Sequence, residues 1–113
     1  MERVMGKYVI ETAKNGEFFF NLKAGNGEKI LTSETYKEKA GAKKGIESVR
    51  VNSALDARYD RLAAAGGKHR FVLKAGNHEI IGTSQAYESE QGMETGINSV
   101  KANGPDSEVV DNT

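Results

Sequence analysis

The sequence lacks several residue types on which common functions depend. Its 113 residues include no cysteine and no tryptophan, one proline and only two histidines. The absence of cysteine excludes disulfide bonds, thiolate nucleophiles and cysteine-ligated metal sites. Sixteen basic residues balance sixteen acidic ones. The net charge therefore gives no electrostatic reason to expect binding to nucleic acid or to an anionic membrane.

Long hydrophobic runs are also missing. No stretch approaches the roughly 20 apolar residues of a membrane span, and the amino terminus lacks the apolar core of a signal peptide. A cytoplasmic location is therefore expected. The length suits one domain over residues 1–113.

What the sequence does contain is one stretch that occurs twice. Residues 20–52 and 71–103 align without a gap at an offset of 51 residues, and 17 of the 33 aligned positions are identical. One such unit alone would bury too little surface to be stable. We therefore expect two repeats, 6–56 and 57–111, that share a core.

Within each repeat the hydrophobic period changes. Alternation over residues 7–12, 18–24 and 28–32 predicts three strands, with hairpin turns at Asn15-Gly16 and Asn26-Gly27. Apolar residues then recur at helical spacing, which predicts a helix over roughly 38–51. The second repeat follows the same pattern, and a last short strand is expected over 108–111. The fold class is α+β.

The motifs L-K-A-G-N, I-x-T-S and G-x-x-x-G-I-x-S-V, each present twice, resemble those of the YegP-like family of small bacterial proteins. The resemblance runs from about residue 7 to residue 111. It implies two β3-α-β repeats in one continuous antiparallel sheet, with two helices on one face, a pseudo-twofold axis and exchanged terminal strands. It also implies a monomer that is an intramolecular pseudo-dimer. The family has no established activity, so no catalytic residue and no cofactor is implied. Two departures stand out: His78 replaces a turn glycine, and Gly82 stands where the first repeat has Leu31.

Motifs that could carry chemistry have structural interpretations that fit better. The G-x-x-x-G pairs at Gly41/Gly45 and Gly92/Gly96 predict close packing of each helix. Ser33 and Ser84 are interpreted as turn hydrogen-bonding groups rather than nucleophiles.

A metal site has little support. His69, His78 and Glu79 could supply three ligands in the second repeat, but the first repeat has Phe18 and Gly27 at the histidine positions. No metal is therefore expected.

The sheet face turned away from the helices is the most promising surface. Its mixture of basic and apolar groups fits a non-enzymatic binding module for a protein partner or a single-stranded nucleic acid. An ordinary amphipathic sheet with solvated lysines is the alternative. By strand parity the face carries Phe19, Asn21, Lys23, Lys29, Arg70, Val72 and Lys74.

Two further hypotheses concern the contact between the repeats. A small-ligand or enzymatic site at their junction could use residues that occur once, such as Arg58, Tyr59 and His69. Helices lying side by side could also pair opposite charges, and two independently solvated helix faces are the alternative. The charges concerned are those of Lys37, Lys39 and Lys43 and of Glu88, Glu90 and Glu94.

Overall fold

A computed structural model describes residues 6–113, which form a seven-stranded sheet and two helices. Short 3-10 turns at Asp56–Arg58 and Ala65–Gly67 flank the fourth strand. In chain order the elements are β1 (Lys7–Thr12), β2 (Phe18–Lys23), β3 (Lys29–Ser33), α1 (Lys39–Asn52), β4 (Tyr59–Ala64), β5 (Lys68–Lys74), β6 (Ile80–Thr83), α2 (Glu90–Asn103) and β7 (Glu108–Asp111).

The strand order is β4-β5-β6-β3-β2-β1-β7. β3 and β6 pair antiparallel in the middle, which places the pseudo-twofold axis between them. The predicted α+β class and the continuous sheet of two repeats are confirmed. The sheet is mixed rather than wholly antiparallel, because β7 leaves α2 and joins β1 of the first repeat in parallel. This pairing is the expected exchange of a terminal strand.

A hydrophobic core lies between the sheet and both helices. The sheet contributes Tyr8, Phe20 and Phe71, and the helices contribute residues such as Ile46 and Ile97, all at most 1% exposed. These side chains belong to one cluster, so the core is common to both repeats. Within residues 6–113 neither helix is long and apolar enough to cross a membrane.

The second turn of each repeat requires a left-handed residue. Gly27 has φ +85°, and its counterpart His78 has φ +71°. The preceding asparagine stabilises both turns through its side chain: Asn26 Oδ1 accepts from the Glu28 amide at 3.0 Å. Histidine is among the few residues other than glycine that adopt a positive φ, and His78 does so here.

The two repeats meet at a short and asymmetric junction. β3 and β6 share only the pairs Thr32–Thr83 and Ser33–Gly82. A Cβ atom on Gly82 would lie 2.8 Å from Leu31 Cγ and 3.0 Å from the Thr32 carbonyl oxygen. Leu31 is 1% exposed and occupies the space that a side chain at Gly82 would need. Leucine at both counterpart positions would collide.

The helix glycines make room for a tyrosine that precedes each helix. Tyr36 exchanges two backbone hydrogen bonds of 2.7 Å with Phe18. A Cβ on Gly45 would lie 2.9 Å from Tyr36 Cζ and still closer to its hydroxyl, and one on Gly96 would lie 2.7 Å from Tyr87 Cζ. The predicted close packing is confirmed, and its partner is this tyrosine rather than the other helix.

The glycine packing makes a testable prediction about α2. Gly96→Ala is expected to lower the free energy of unfolding by about 1–3 kcal/mol, because the clash with Tyr87 outweighs the roughly 1 kcal/mol that alanine gives a helix. Gly92→Ala is the matched control, since its Cβ would meet nothing closer than Ser89 Oγ at 3.3 Å. Urea denaturation measures both, and equal stability of the two variants would contradict the packing.

Each of these tyrosines also ends a triplet of aromatic rings. In the first repeat Phe20 lies edge-on to Tyr8 at 5.8 Å and stacks with Tyr36 at 6.5 Å between centroids. The second repeat repeats the geometry at 5.7 and 6.4 Å. Such pairs contribute about 0.5–1.5 kcal/mol each beyond their buried area. The triplets therefore fix how strand, sheet and helix stack.

The first tyrosine of each triplet links its repeat to the other. Tyr8 donates its hydroxyl hydrogen to the Gly104 carbonyl oxygen at the end of α2 at 2.6 Å. Tyr59 donates to the Ser53 carbonyl oxygen at the end of α1 at 2.7 Å. Burial raises the pKa of both hydroxyls well above the usual value. The folded state therefore needs both groups protonated.

These hydroxyls predict a loss of stability at alkaline pH. Below about pH 10 the tyrosine hydroxyl is protonated in both the folded and the unfolded protein. Above that pH the hydroxyl of the unfolded protein ionises first, because its pKa is lower. The free energy of unfolding should fall by up to about 1.4 kcal/mol per pH unit for each group. Tyr8→Phe should make the free energy of unfolding depend less steeply on pH. It should also lower that free energy by about 1 kcal/mol at neutral pH, because the hydrogen bond is lost. Denaturant unfolding between pH 7 and 11 measures this, and an unchanged slope in Tyr8→Phe would refute it.

Candidate interaction surface

The open sheet face, defined here as the side of the sheet opposite the two helices, bears alternate residues of the strands. Lys29 and Arg70 are exposed there, and Phe19, Lys23 and Lys74 are half-buried. Five of the seven predicted side chains are therefore accessible at least in part. Lys74 also pairs with a neighbour on this face, Asp60, at 2.5 Å.

The other two predicted residues are on this face but inaccessible. Asn21 is 2% exposed and Val72 is 5% exposed. The side-chain amide of Asn21 donates from Nδ2 to Glu11 Oε2 at 3.1 Å, and its Oδ1 accepts from Thr32 Oγ1 at 2.6 Å. Val72 lies between Asp60 and Thr83 in the strand register. The prediction that these two residues are open contact groups is wrong, because strand parity identifies a face but not how far neighbouring side chains close over it.

A central cleft of about 520 Å³ lies at the junction of the repeats. Gln85 Nε2 donates to Glu28 Oε1 at 2.9 Å and so links the repeats along it. The cleft runs along the β3–β6 junction, where only two residue pairs join the strands. It is lined by Glu28, Lys29, Leu31, Thr32, Ser33, Glu34, Thr83, Ser84 and Gln85.

The residues predicted for a junction site lie elsewhere. Arg58 Nε donates to Asn52 Oδ1 at 2.9 Å, Tyr59 is in the core, and His69 pairs with the Tyr87 backbone. β4 and β5 stand at the outer end of the sheet. The hypothesis selected residues that occur once in the chain, whereas the repeats meet in the sheet where β3 pairs with β6.

The two serines act as structural hydrogen-bonding groups. Ser33 Oγ accepts from the Phe20 amide at 2.8 Å and donates to the Glu34 carbonyl oxygen at 2.8 Å. Ser84 repeats both bonds in the second repeat. No cluster of three histidine or carboxylate side chains is placed to hold a metal ion among the residues that the structure describes.

Among residues 6–113, Lys39 and Glu94 pair with strands of the sheet rather than with the opposite helix. Lys39 binds Asp111 of β7 at 2.9 Å, and Arg61 Nη2 of β4 donates to Glu94 at 3.1 Å. Hydrogen bonds from Thr113 and the Lys39 ammonium hold the pKa of Asp111 well below its usual range. The idea that lysines of α1 face glutamates of α2 is therefore wrong, since each helix reaches the strand edge beside it.

Residues 13–60 and 64–111 each match the family model described as a domain of unknown function, DUF1508. The chain belongs to the DUF1508 family. Each DUF1508 unit ends in a strand that pairs outside it. The first unit ends in β4, which joins β5 of the second unit, and the second ends in β7, which joins β1. These units begin later in the chain than the repeats expected from the sequence.

Close DUF1508 relatives are found in several bacteria. A UPF0339 protein of Acinetobacter baylyi is 58% identical over 96% of this chain and 97% of its own length. YegP of Escherichia coli K12 is 54% identical over 96% of this chain and 98% of its own. The YegP-like resemblance is thereby confirmed.

Solved structures of two relatives share the fold. The solution NMR structure of Escherichia coli YegP, described as a protein of unknown function, has a TM-score of 0.92 at 51% identity and covers 100% of this chain and 97% of its own. The structure of a Shewanella oneidensis UPF0339 protein has a TM-score of 0.88 at 51% identity, with 94% and 90% covered. These relatives are uncharacterised, so no activity carries over from them.

Proposed function

We propose that the protein is a non-enzymatic interaction module that binds a protein partner through the open sheet face, as a monomer in the cytoplasm. The observation that carries the proposal is the distribution of basic side chains. Both repeats contribute, with Lys23 and Lys29 from the first and Arg70 and Lys74 from the second. They lie on one face, on the two sides of the pseudo-twofold axis. Such an arrangement suits an acidic partner surface.

The polar groups beneath this face support binding rather than catalysis. Asn21, Ser33 and Ser84 are buried, and their hydrogen bonds go to neighbouring strands and backbone. They serve the fold. Burial raises the pKa of the Tyr8 and Tyr59 hydroxyls, but these groups lie in the core on the helix side of the sheet.

A protein partner fits the face better than a single-stranded nucleic acid does. Single-strand platforms stack successive bases on exposed aromatic side chains. This face offers Phe19 alone among its seven predicted residues, and that ring is half-buried. Lys74 is also partly neutralised by Asp60, so Lys23, Lys29 and Arg70 are the better contact groups.

A double charge reversal tests the proposal. The Lys29→Glu, Arg70→Glu variant should lose at least about tenfold in affinity for each partner that the native chain captures, since both side chains are exposed on this face. Lys43→Glu, Lys44→Glu is the matched control, because it makes the same charge change on exposed residues of α1. The measurement is quantitative affinity capture from a bacterial lysate, followed by titration of the partner found.

Two outcomes would overturn the proposal. One is an equal loss of affinity in both double variants, which would show that the partner responds to the total charge of the protein rather than to the open sheet face. The other is binding of single-stranded RNA or DNA, but of no protein, by the native chain in a fluorescence anisotropy titration.

The central cleft favours a second candidate function, the binding of a small ligand. Its volume of about 520 Å³ lies within the range of small-molecule sites. Thr83→Trp should fill it and abolish binding of a ligand held there. Arg70 does not line the cleft, so Arg70→Glu alone should weaken capture of a protein partner and leave ligand binding unchanged, and thermal-shift screening with affinity capture separates the two functions.

A further inference from the structure

The outer edge of β4 is where the second repeat departs most from the first. β4 ends the sheet, and no strand among residues 6–113 pairs with its outer side. Its counterpart in the first repeat, β1, is covered there by β7. An edge strand presents unpaired amide and carbonyl groups to which another strand can add. The pseudo-twofold therefore relates one filled edge to one vacant edge.

The filled edge shows what kind of segment such an edge accepts. β7 runs parallel to β1, with Val109 beside Tyr8 and Asp111 beside Ile10. The Asn112 amide donates to the Ile10 carbonyl oxygen at 2.9 Å. Val109 shares a shallow cleft with Ile46 of α1. The occupant is thus a short extended segment that lays a β-branched side chain against the helix.

Charge fixes the fourth residue of this segment. The Asp111 carboxylate lies 2.9 Å from the ammonium group of Lys39, the first residue of α1. At an offset of 51 residues, the counterpart of Lys39 on α2 is Glu90, and that of Lys43 is Glu94. The helix beside the filled edge is therefore basic and matches an acidic strand, whereas the helix beside the vacant edge is acidic.

The charged side chains on and beside β4 do not make this edge basic. Arg61 is the counterpart of Ile10, and its Nη2 atom lies 3.1 Å from both Glu94 Oε1 and Asp56 Oδ1. Lys101 Nζ also binds Asp56, at 2.8 Å. Asp56 and Glu94 thus balance Arg61 and Lys101, and Glu90, at the position that corresponds to Lys39, adds one further negative charge at the start of α2. A basic residue of the incoming segment would restore the balance.

We propose that the outer edge of β4 binds an extended basic segment of a partner protein. The segment runs parallel to β4, places a β-branched residue beside Tyr59, and places a lysine or arginine near Glu90. This edge is separate from the open sheet face, and the partner chemistry is opposite in sign. The chain's own acidic β7 sequence is the wrong occupant, so the vacancy does not make two copies exchange strands.

Two synthetic peptides of the same length test the proposal on the full chain. One has the sequence of residues 107–113, and the other is the same peptide with Asp111→Lys. In a titration followed by 15N–1H NMR, the lysine peptide should bind on the order of fivefold more tightly, with shifts centred on β4 and the first two turns of α2. The preference should shrink at high salt, because the pair is exposed.

Glu90→Lys is the matched variant of the protein. It recreates the Lys39 arrangement at the vacant edge, so the preference should reverse in favour of the native peptide. Glu90 is exposed, so this substitution leaves the core untouched.

A second pair of variants isolates the backbone contribution. The Ile10 carbonyl oxygen faces β7, so the backbone of its counterpart Arg61 faces outward. Arg61→Pro removes the outward amide, which an edge strand tolerates, and should abolish binding of the lysine peptide. Arg61→Ala removes the same guanidinium and should retain it.

Three results would overturn the inference. Tighter binding of the native peptide would make the edge an interface between copies of this chain. Shifts outside β4 and α2 would place the peptide elsewhere. No binding of either peptide would mean that the ion pairs around Asp56 simply protect a bare edge.

Discussion

The packing of Leu31 against Gly82 is the contact on which the shared sheet depends. β3 and β6 are joined by only two residue pairs, so the side chains beside the axis must fit closely for the sheet to continue from one repeat into the other. A large residue facing a small one achieves this fit. In a symmetric dimer the two positions would carry the same residue. A tandem chain can place leucine at one and glycine at the other, and this chain does so.

The rest of the architecture extends outward from that junction. The stacked triplets centred on Phe20 and Phe71 set the helices on the sheet, and the hydroxyls of Tyr8 and Tyr59 anchor each helix end to the opposite repeat. Because both helices share one side, the other face is available to a partner. Because residues 6–113 hold one strand that covers such an edge, β7, the edge of β1 is covered and that of β4 is not. Both proposed binding surfaces therefore follow from how the duplicated unit closes.

Much of the fold could be predicted from periodicity, turn residues and the resemblance to relatives, since these depend on local sequence. The site was harder to predict. Asn21 has the parity of an open face, but its burial depends on Glu11 and Thr32 from two neighbouring strands. The replacement of Leu31 by Gly82 was visible in the alignment of the repeats, but its meaning depends on which strands meet at the axis. The ion pairs of the helices likewise depend on how far apart the two helices lie on the sheet. The sequence of neither helix alone determines that distance.

A residue swap across the junction tests the central claim most directly. Gly82→Leu should lower the free energy of unfolding by about 2–3 kcal/mol through overpacking, and Leu31→Gly by about 3 kcal/mol or more through the cavity it leaves. The double variant Leu31→Gly, Gly82→Leu returns one leucine and one glycine to the junction. Urea unfolding of the four proteins gives the coupling energy. The double variant is predicted to be more stable than either single variant, and simple addition of the two losses would contradict the account.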